Sequence, residues 1–113
     1  MDEFPAGVRQ KAGTVSLAPR KVKGWVHELK VPLAAGETLR YEARHDRDGG
    51  DVEFNLHSHQ GAKVTYHARE AGPAVAGAFV APWTGDFYLM WENTSERSVP
   101  VTYALERVPS AGR

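Results

Sequence analysis

Apolar residues recur at every second position through most of this chain, and clusters of Gly, Pro and Asp interrupt them at intervals of roughly 8–12 residues. A two-residue repeat is the side-chain period of a β-strand, and no stretch carries the 3.6-residue repeat of an amphipathic helix. The fold class that follows is all-β: an antiparallel, jelly-roll-like β-sandwich of about eight strands. The pattern predicts them at Thr14–Leu17, Trp25–Val31, Thr38–His45, Val52–His59, Lys63–Ala68, Val75–Ala81, Asp86–Asn93 and Val99–Arg107. Turn chemistry separates them. Ala35-Gly36 and Gly49-Gly50 supply positive φ, Gln60-Gly61 closes a hairpin, and Pro82 and Gly85 bracket the seventh strand.

Alternation also assigns faces. Val52, Phe54 and Leu56 share one face of the fourth strand, which leaves Glu53, Asn55, His57 and His59 on the other. Leu39, Tyr41 and Ala43 point inward from the third strand and Arg40, Glu42 and Arg44 outward. In the seventh strand Phe87, Leu89 and Trp91 alternate with Tyr88, Met90 and Glu92, so both faces are partly apolar and the strand is central. Val99, Val101, Tyr103 and Leu105 complete the expected core, with Trp25, Leu29 and Phe79.

The 113 residues suit one domain, expected over residues 13–108, between a flexible arm at 1–12 and a flexible tail at 109–113. Such a chain buries enough surface to stand without staples, and it has no Cys for disulfides, thiolate metal sites or thiol nucleophiles. Lys+Arg and Asp+Glu are 14 each, so the formal charge is zero and a phosphate-tracking basic face has little to draw on; nucleic acid is not an expected partner. The uncharged stretch Ala71–Gly85 is broken by Gly72, Pro73, Gly77 and Pro82 and falls short of the ~20 apolar residues of a membrane-spanning helix.

Candidate chemistry gathers on the fourth and fifth strands. His57 and His59, at i and i+2, project from one face ~6.6 Å apart, a spacing from which two imidazoles can converge on a metal ion. Pairing Leu56 and Phe54 with Val64 and Tyr66 requires an odd-length turn at Gln60-Gly61, and that register brings His67 to the same face, opposite Glu53 or Asn55. Copper or zinc suits such imidazoles, and a Met90 thioether close by would favour Cu(I). The competing reading is a half-solvated outer face whose histidines bond to Glu53 or Asn55, or contact another ligand. Asp46, Asp48 and Asp51 read as a capped turn rather than a calcium loop, because the twelve-residue ligand pattern is incomplete. The Trp and Tyr residues read chiefly as core, with Trp83 the one expected at the surface. No phosphate-binding loop, nucleophile elbow or His-Glu-x-x-His motif is present, and a non-enzymatic role is expected, with no cofactor unless copper or zinc.

GDFYLMWEN at Gly85–Asn93 resembles the closing motif of the Golgi dynamics (GOLD) domain, in which Gly85, Phe87, Leu89, Trp91 and Asn93 fit, while Met90 stands where eukaryotic cargo receptors of that family carry a cysteine. AGETLRYEAR, VEFNLHSHQGAKV and GAFVAPWTGDFY keep the same order, so the resemblance spans about residues 24–107. The order is also similar to bacterial pre-peptidase C-terminal domains, and it resembles most closely small bacterial envelope proteins with FN-x-H-x-H-x-G and MW-x-N motifs, here FNLHSHQG and LMWEN. The resemblance implies a GOLD-like binding or interaction module for a protein or surface ligand, in a periplasmic or extracellular setting. The first residues have no apolar signal-peptide core, so that setting implies a leader removed ahead of Met1.

Overall fold

The computed structural model describes residues 2–46 and 51–110. It holds nine strands, β1 (Asp2–Glu3), β2 (Gln10–Leu17), β3 (Val26–Leu33), β4 (Thr38–Arg44), β5 (Val52–Gln60), β6 (Lys63–Ala71), β7 (Ala74–Val80), β8 (Gly85–Asn93) and β9 (Val99–Val108). Among the described residues there is no helix, and hence none long and apolar enough to cross a membrane. The expected Gly49-Gly50 turn and Asp48 lie outside the described residues.

Two sheets face each other, ordered β1-β3-β8-β5-β6 and β2-β9-β4-β7. Pairing is antiparallel throughout except for the two-residue β1, which runs parallel to β3. Consecutive strands from β2 to β4 alternate between the sheets, β5 and β6 form the one sequential hairpin within a sheet, and β7 to β9 alternate again. This is the jelly-roll order, and the β-sandwich expected from the alternation is the fold observed.

The faces follow the two-residue repeat closely. Leu39, Tyr41 and Ala43 of β4, Val52, Phe54 and Leu56 of β5, Phe87, Leu89 and Trp91 of β8, and Val99, Val101, Tyr103 and Leu105 of β9 are all buried. Trp91 sits between the sheets, its ring 5.7 Å from Phe54 and 5.4 Å from Tyr103, with Phe54 in turn 5.2 Å from Tyr41. β8 is interior, flanked by β3 and β5. Gly77 pairs with Tyr41, and a Cβ at Gly77 would clash with the Tyr41 hydroxyl, so the ring occupies the space that a side chain would take.

Three expectations need correction. The segment before residue 13 is docked rather than frayed, because Phe4 is fully buried and anchors it, its amide bonds Lys30 O at 2.8 Å, and residues 10–12 already belong to β2. Trp25 is half-buried outside the core, ahead of β3. Trp83, expected at the surface, is half-buried, one side of its indole packing on the core with Phe87, ring centroids 5.7 Å apart.

Candidate functional site

The β5–β6 hairpin decides where the histidines go. Gln60 pairs with Lys63, so the connection is two residues, Gly61 and Ala62, with Gly61 at φ 63°; the loop is even in length, not odd. His59 therefore pairs with Val64 and His57 with Tyr66. Both partners share the outer face, where Val64 is 40% and Tyr66 48% exposed, instead of joining Leu56 and Phe54 in the core. A β-bulge then shifts the register: Leu56 pairs with Ala68, and His67 is the extra residue.

The bulge turns His67 inward, away from His57 and His59, which overturns the expectation that the three share a face. Its ring lies among Phe79 (4.9 Å), Trp83 (5.8 Å) and Phe87 (5.6 Å), and its Nε2 is 2.9 Å from Ser58 Oγ. This environment pushes its pKa below the ordinary imidazole value by desolvation. A serine hydroxyl against an imidazole is a nucleophile–base pair in outline, and no motif in the sequence signals it. Ser58, however, is 1% exposed, so substrate has no route to its oxygen and the pair is a satisfied polar contact inside the sandwich.

On the outer face the rows of the sheet set the neighbours. Lys30, Tyr88, His57 and Tyr66 form one cross-strand row over β3, β8, β5 and β6, and Glu28, Met90, Asn55 and Arg69 form the next. His57, although on the outer face, is only 4% exposed. Its ring stacks on Tyr88 (centroids 5.4 Å, planes 19° apart), with His59 edge-on at 5.0 Å and Tyr66 at 6.0 Å. His59 is exposed and lies 5.3 Å from Tyr88, while the Arg69 guanidinium sits 4.5 Å above the Tyr66 ring.

Both nitrogens of His57 have partners. Nδ1 lies 2.7 Å from Asn55 Oδ1, and Nε2 lies 3.1 Å from Oε2 of Glu28, which reaches diagonally past β8. One ligand atom from each of Glu28, His57 and His59 falls within 4.8 Å of the others. Burial pushes the His57 pKa below its ordinary value; the Glu28 carboxylate opposes this, and the neighbouring His59 and His67 reinforce it.

Of the residues singled out from sequence, His57 and His59 thus come together, with Asn55 behind them. Met90 lies on the same face, between Glu28 and Asn55 in the register. Glu53 does not join them: it is four residues from His57, ~13 Å along the strand, and its row neighbour is Glu92. Glu28 is the residue that sequence reasoning missed. Its outward position on β3 was readable from alternation, but nothing local says that β3 and β5 flank the same strand.

No family model matches the chain, and no curated protein matches it. Solved structures do. The periplasmic inhibitor of g-type lysozyme, PliG, from Aeromonas hydrophila superposes with a TM-score of 0.66 at 14% identity, covering 94% of each chain. The pre-peptidase C-terminal domain of the collagenase from Bacillus anthracis superposes with a TM-score of 0.65 at 16% identity, over 94% of this chain and 92% of that one. The sandwich is shared with both, in line with the pre-peptidase C-terminal resemblance of the sequence.

Proposed function

We propose that this chain is a non-catalytic, GOLD-like β-sandwich of the bacterial cell envelope that binds a protein or surface ligand through the outer face of its five-stranded sheet. The observation that carries this reading is the group formed there by His59, Tyr66, Tyr88 and Arg69. Rings and a guanidinium at the surface of a rigid sheet combine large apolar area with hydrogen-bonding tips, the composition enriched at binding hot spots. The opposite outer face is different in kind, with Ala12, Ala76 and Ala104 set among Arg40, Glu42 and Arg44.

Support of a coarser kind comes from the two structural relatives. One is a periplasmic inhibitor of g-type lysozyme and the other the pre-peptidase C-terminal domain of a collagenase, and a shared fold does not by itself carry a shared partner. Cell-wall hydrolases are one partner class to include in the test. A photo-crosslinking side chain in place of Tyr66, compared with one in place of Ala78 on the other sheet, should capture a discrete envelope component from the first position only. Equal capture from both positions, or none from either, refutes the assignment of the binding face.

A further inference from the structure

His57 is a buried imidazole whose two nitrogens face unlike neighbours. If Nδ1 carries the proton and donates it to Asn55 Oδ1 at 2.7 Å, Nε2 is left with a lone pair aimed at the Glu28 carboxylate 3.1 Å away. Two electron-rich atoms at that distance repel unless a cation lies between or beside them. A proton on Nε2 is one answer.

The second answer is a metal ion, and the surroundings suit it. An imidazole that ligates through Nε2 almost always donates Nδ1–H to a carbonyl or carboxylate oxygen, which fixes the tautomer and the ring plane; Asn55 Oδ1, 2.7 Å from Nδ1, is placed to accept it from His57. Stacking against Tyr88 holds the ring on its other side. His59 brings a second imidazole and Glu28 a carboxylate, with the three donor atoms inside a 4.8 Å span. Bonds of ~2.0–2.1 Å in a tetrahedron place ligand atoms ~3.3 Å apart. His59 is exposed, so its side chain has room to turn toward the other two.

We propose that Glu28, His57 and His59 form a three-ligand site for a divalent late first-row transition ion, Zn(II) or Cu(II), with Asn55 as the positioning residue behind His57. Two imidazoles and one carboxylate are borderline donors that suit these ions, whereas Ca(II) and Mg(II) require an all-oxygen shell. Three protein ligands leave a coordination position open, on the solvent side where His59 and Tyr66 are exposed. The site differs from the sequence expectation in one ligand: Glu28 takes the place that the bulge at His67 vacates. It stands apart from the partner reading, since a chain that captures a partner without metal, or metal without a partner, separates the two.

The test uses the full chain without a polyhistidine tag. Zn(II) titrated by calorimetry should bind with one-to-one stoichiometry, move the imidazole resonances of His57 and His59 at stoichiometric addition, and leave those of His27 and His45 in place. Cu(II) should give an electron paramagnetic resonance spectrum with two-nitrogen coupling. His59→Ala, at an exposed position, should keep the fold and lose affinity at least ~100-fold, and Asn55→Ala should lose ~10–100-fold, as removal of an outer-shell partner does. Glu28→Gln should weaken Zn(II) by a similar factor and reduce the melting-temperature rise that the ion produces in the parent. Absence of one-to-one binding, or parental affinity in both His59→Ala and Glu28→Gln, overturns the proposal and leaves Glu28 and His57 as a polar contact within the protein.

Discussion

Arg107, at the end of β9, ties the first residues of the chain to both sheets, and its replacement by Met is the most demanding test of the packing described above. Its guanidinium Nη1 donates to Pro5 O at 2.9 Å and also to Val8 O, while Nη2 donates to Phe4 O at 3.1 Å and Pro32 O at 2.9 Å. Its Cζ stands 4.3 Å above the Phe4 ring, and Nε is 3.8 Å from the Glu37 carboxylate. Methionine keeps much of the apolar stem and removes every donor. A carbonyl stranded away from water costs about 1–3 kcal/mol, and of the four only Pro5 O keeps another partner among the described residues, Val8 N, so the loss would take up much of the stability of a domain of this size. The chain has a cheaper course. Three of the four carbonyls belong to residues 4–8, and that segment can peel away and hydrate them, giving up the burial of Phe4 and the short β1–β3 pairing. The cost is then capped near that of losing Phe4 itself, about 3–5 kcal/mol. Phe4→Ala removes the same anchor and should cost a similar amount. Because both substitutions release one segment, the double variant should be scarcely worse than either single one, a coupling close to the cost of one single variant, about 3–5 kcal/mol, in urea denaturation. Hydrogen exchange at the Phe4 amide, which bonds Lys30 O, should become fast in each variant. Additive costs, or an Arg107→Met protein within about 0.5 kcal/mol of the parent, would refute the reasoning.

Trp91→Ala should destabilise by about 3–5 kcal/mol, since the ring bridges the sheets, and Trp83→Ala by clearly less but more than a surface substitution, because the indole packs on Phe87; matched chemical denaturation curves check both. Asn93 is fully buried, donates to Ala18 O and Arg97 O and accepts from Ser95 N and Oγ, so Asn93→Ala should cost about 2–4 kcal/mol, read as a fall in the denaturation midpoint. In metal-free protein, His57 and His67 both have pKa values below the ordinary 6.5. The unfolded chain thus takes up protons first as pH falls through about 6.5, and stability should drop from there through the lowered native values and level off above 6.5. Melting curves at pH 7.5, 6.5 and 5.5 test the sign, and His67→Phe should flatten part of the slope.

What the sequence determined by itself was whatever depends on the backbone repeat. Alternation at Leu39-Tyr41-Ala43, at Val52-Phe54-Leu56 and from Val99 to Leu105 placed every one of those side chains inside. The reason is local: successive residues of an extended chain point to opposite sides whatever the strand later pairs with. Within one strand, His57 and His59 shared a face for the same reason. The tertiary structure decided everything that needed a partner strand. Whether the turn after Gln60 had an even or odd length, and whether β6 carried a bulge, cost the local pattern nothing, yet together they sent Val64 and Tyr66 outward and His67 into the aromatic core. A single residue of register reverses every face beyond it, so such a choice is made by the summed packing of both sheets. Glu28 met His57 only because β3 and β5 flank β8, and Arg107 met Phe4 from the far end of the chain. Neither contact leaves a periodic trace in sequence, because sheet order is set by which apolar faces bury one another and not by the strands taken one at a time.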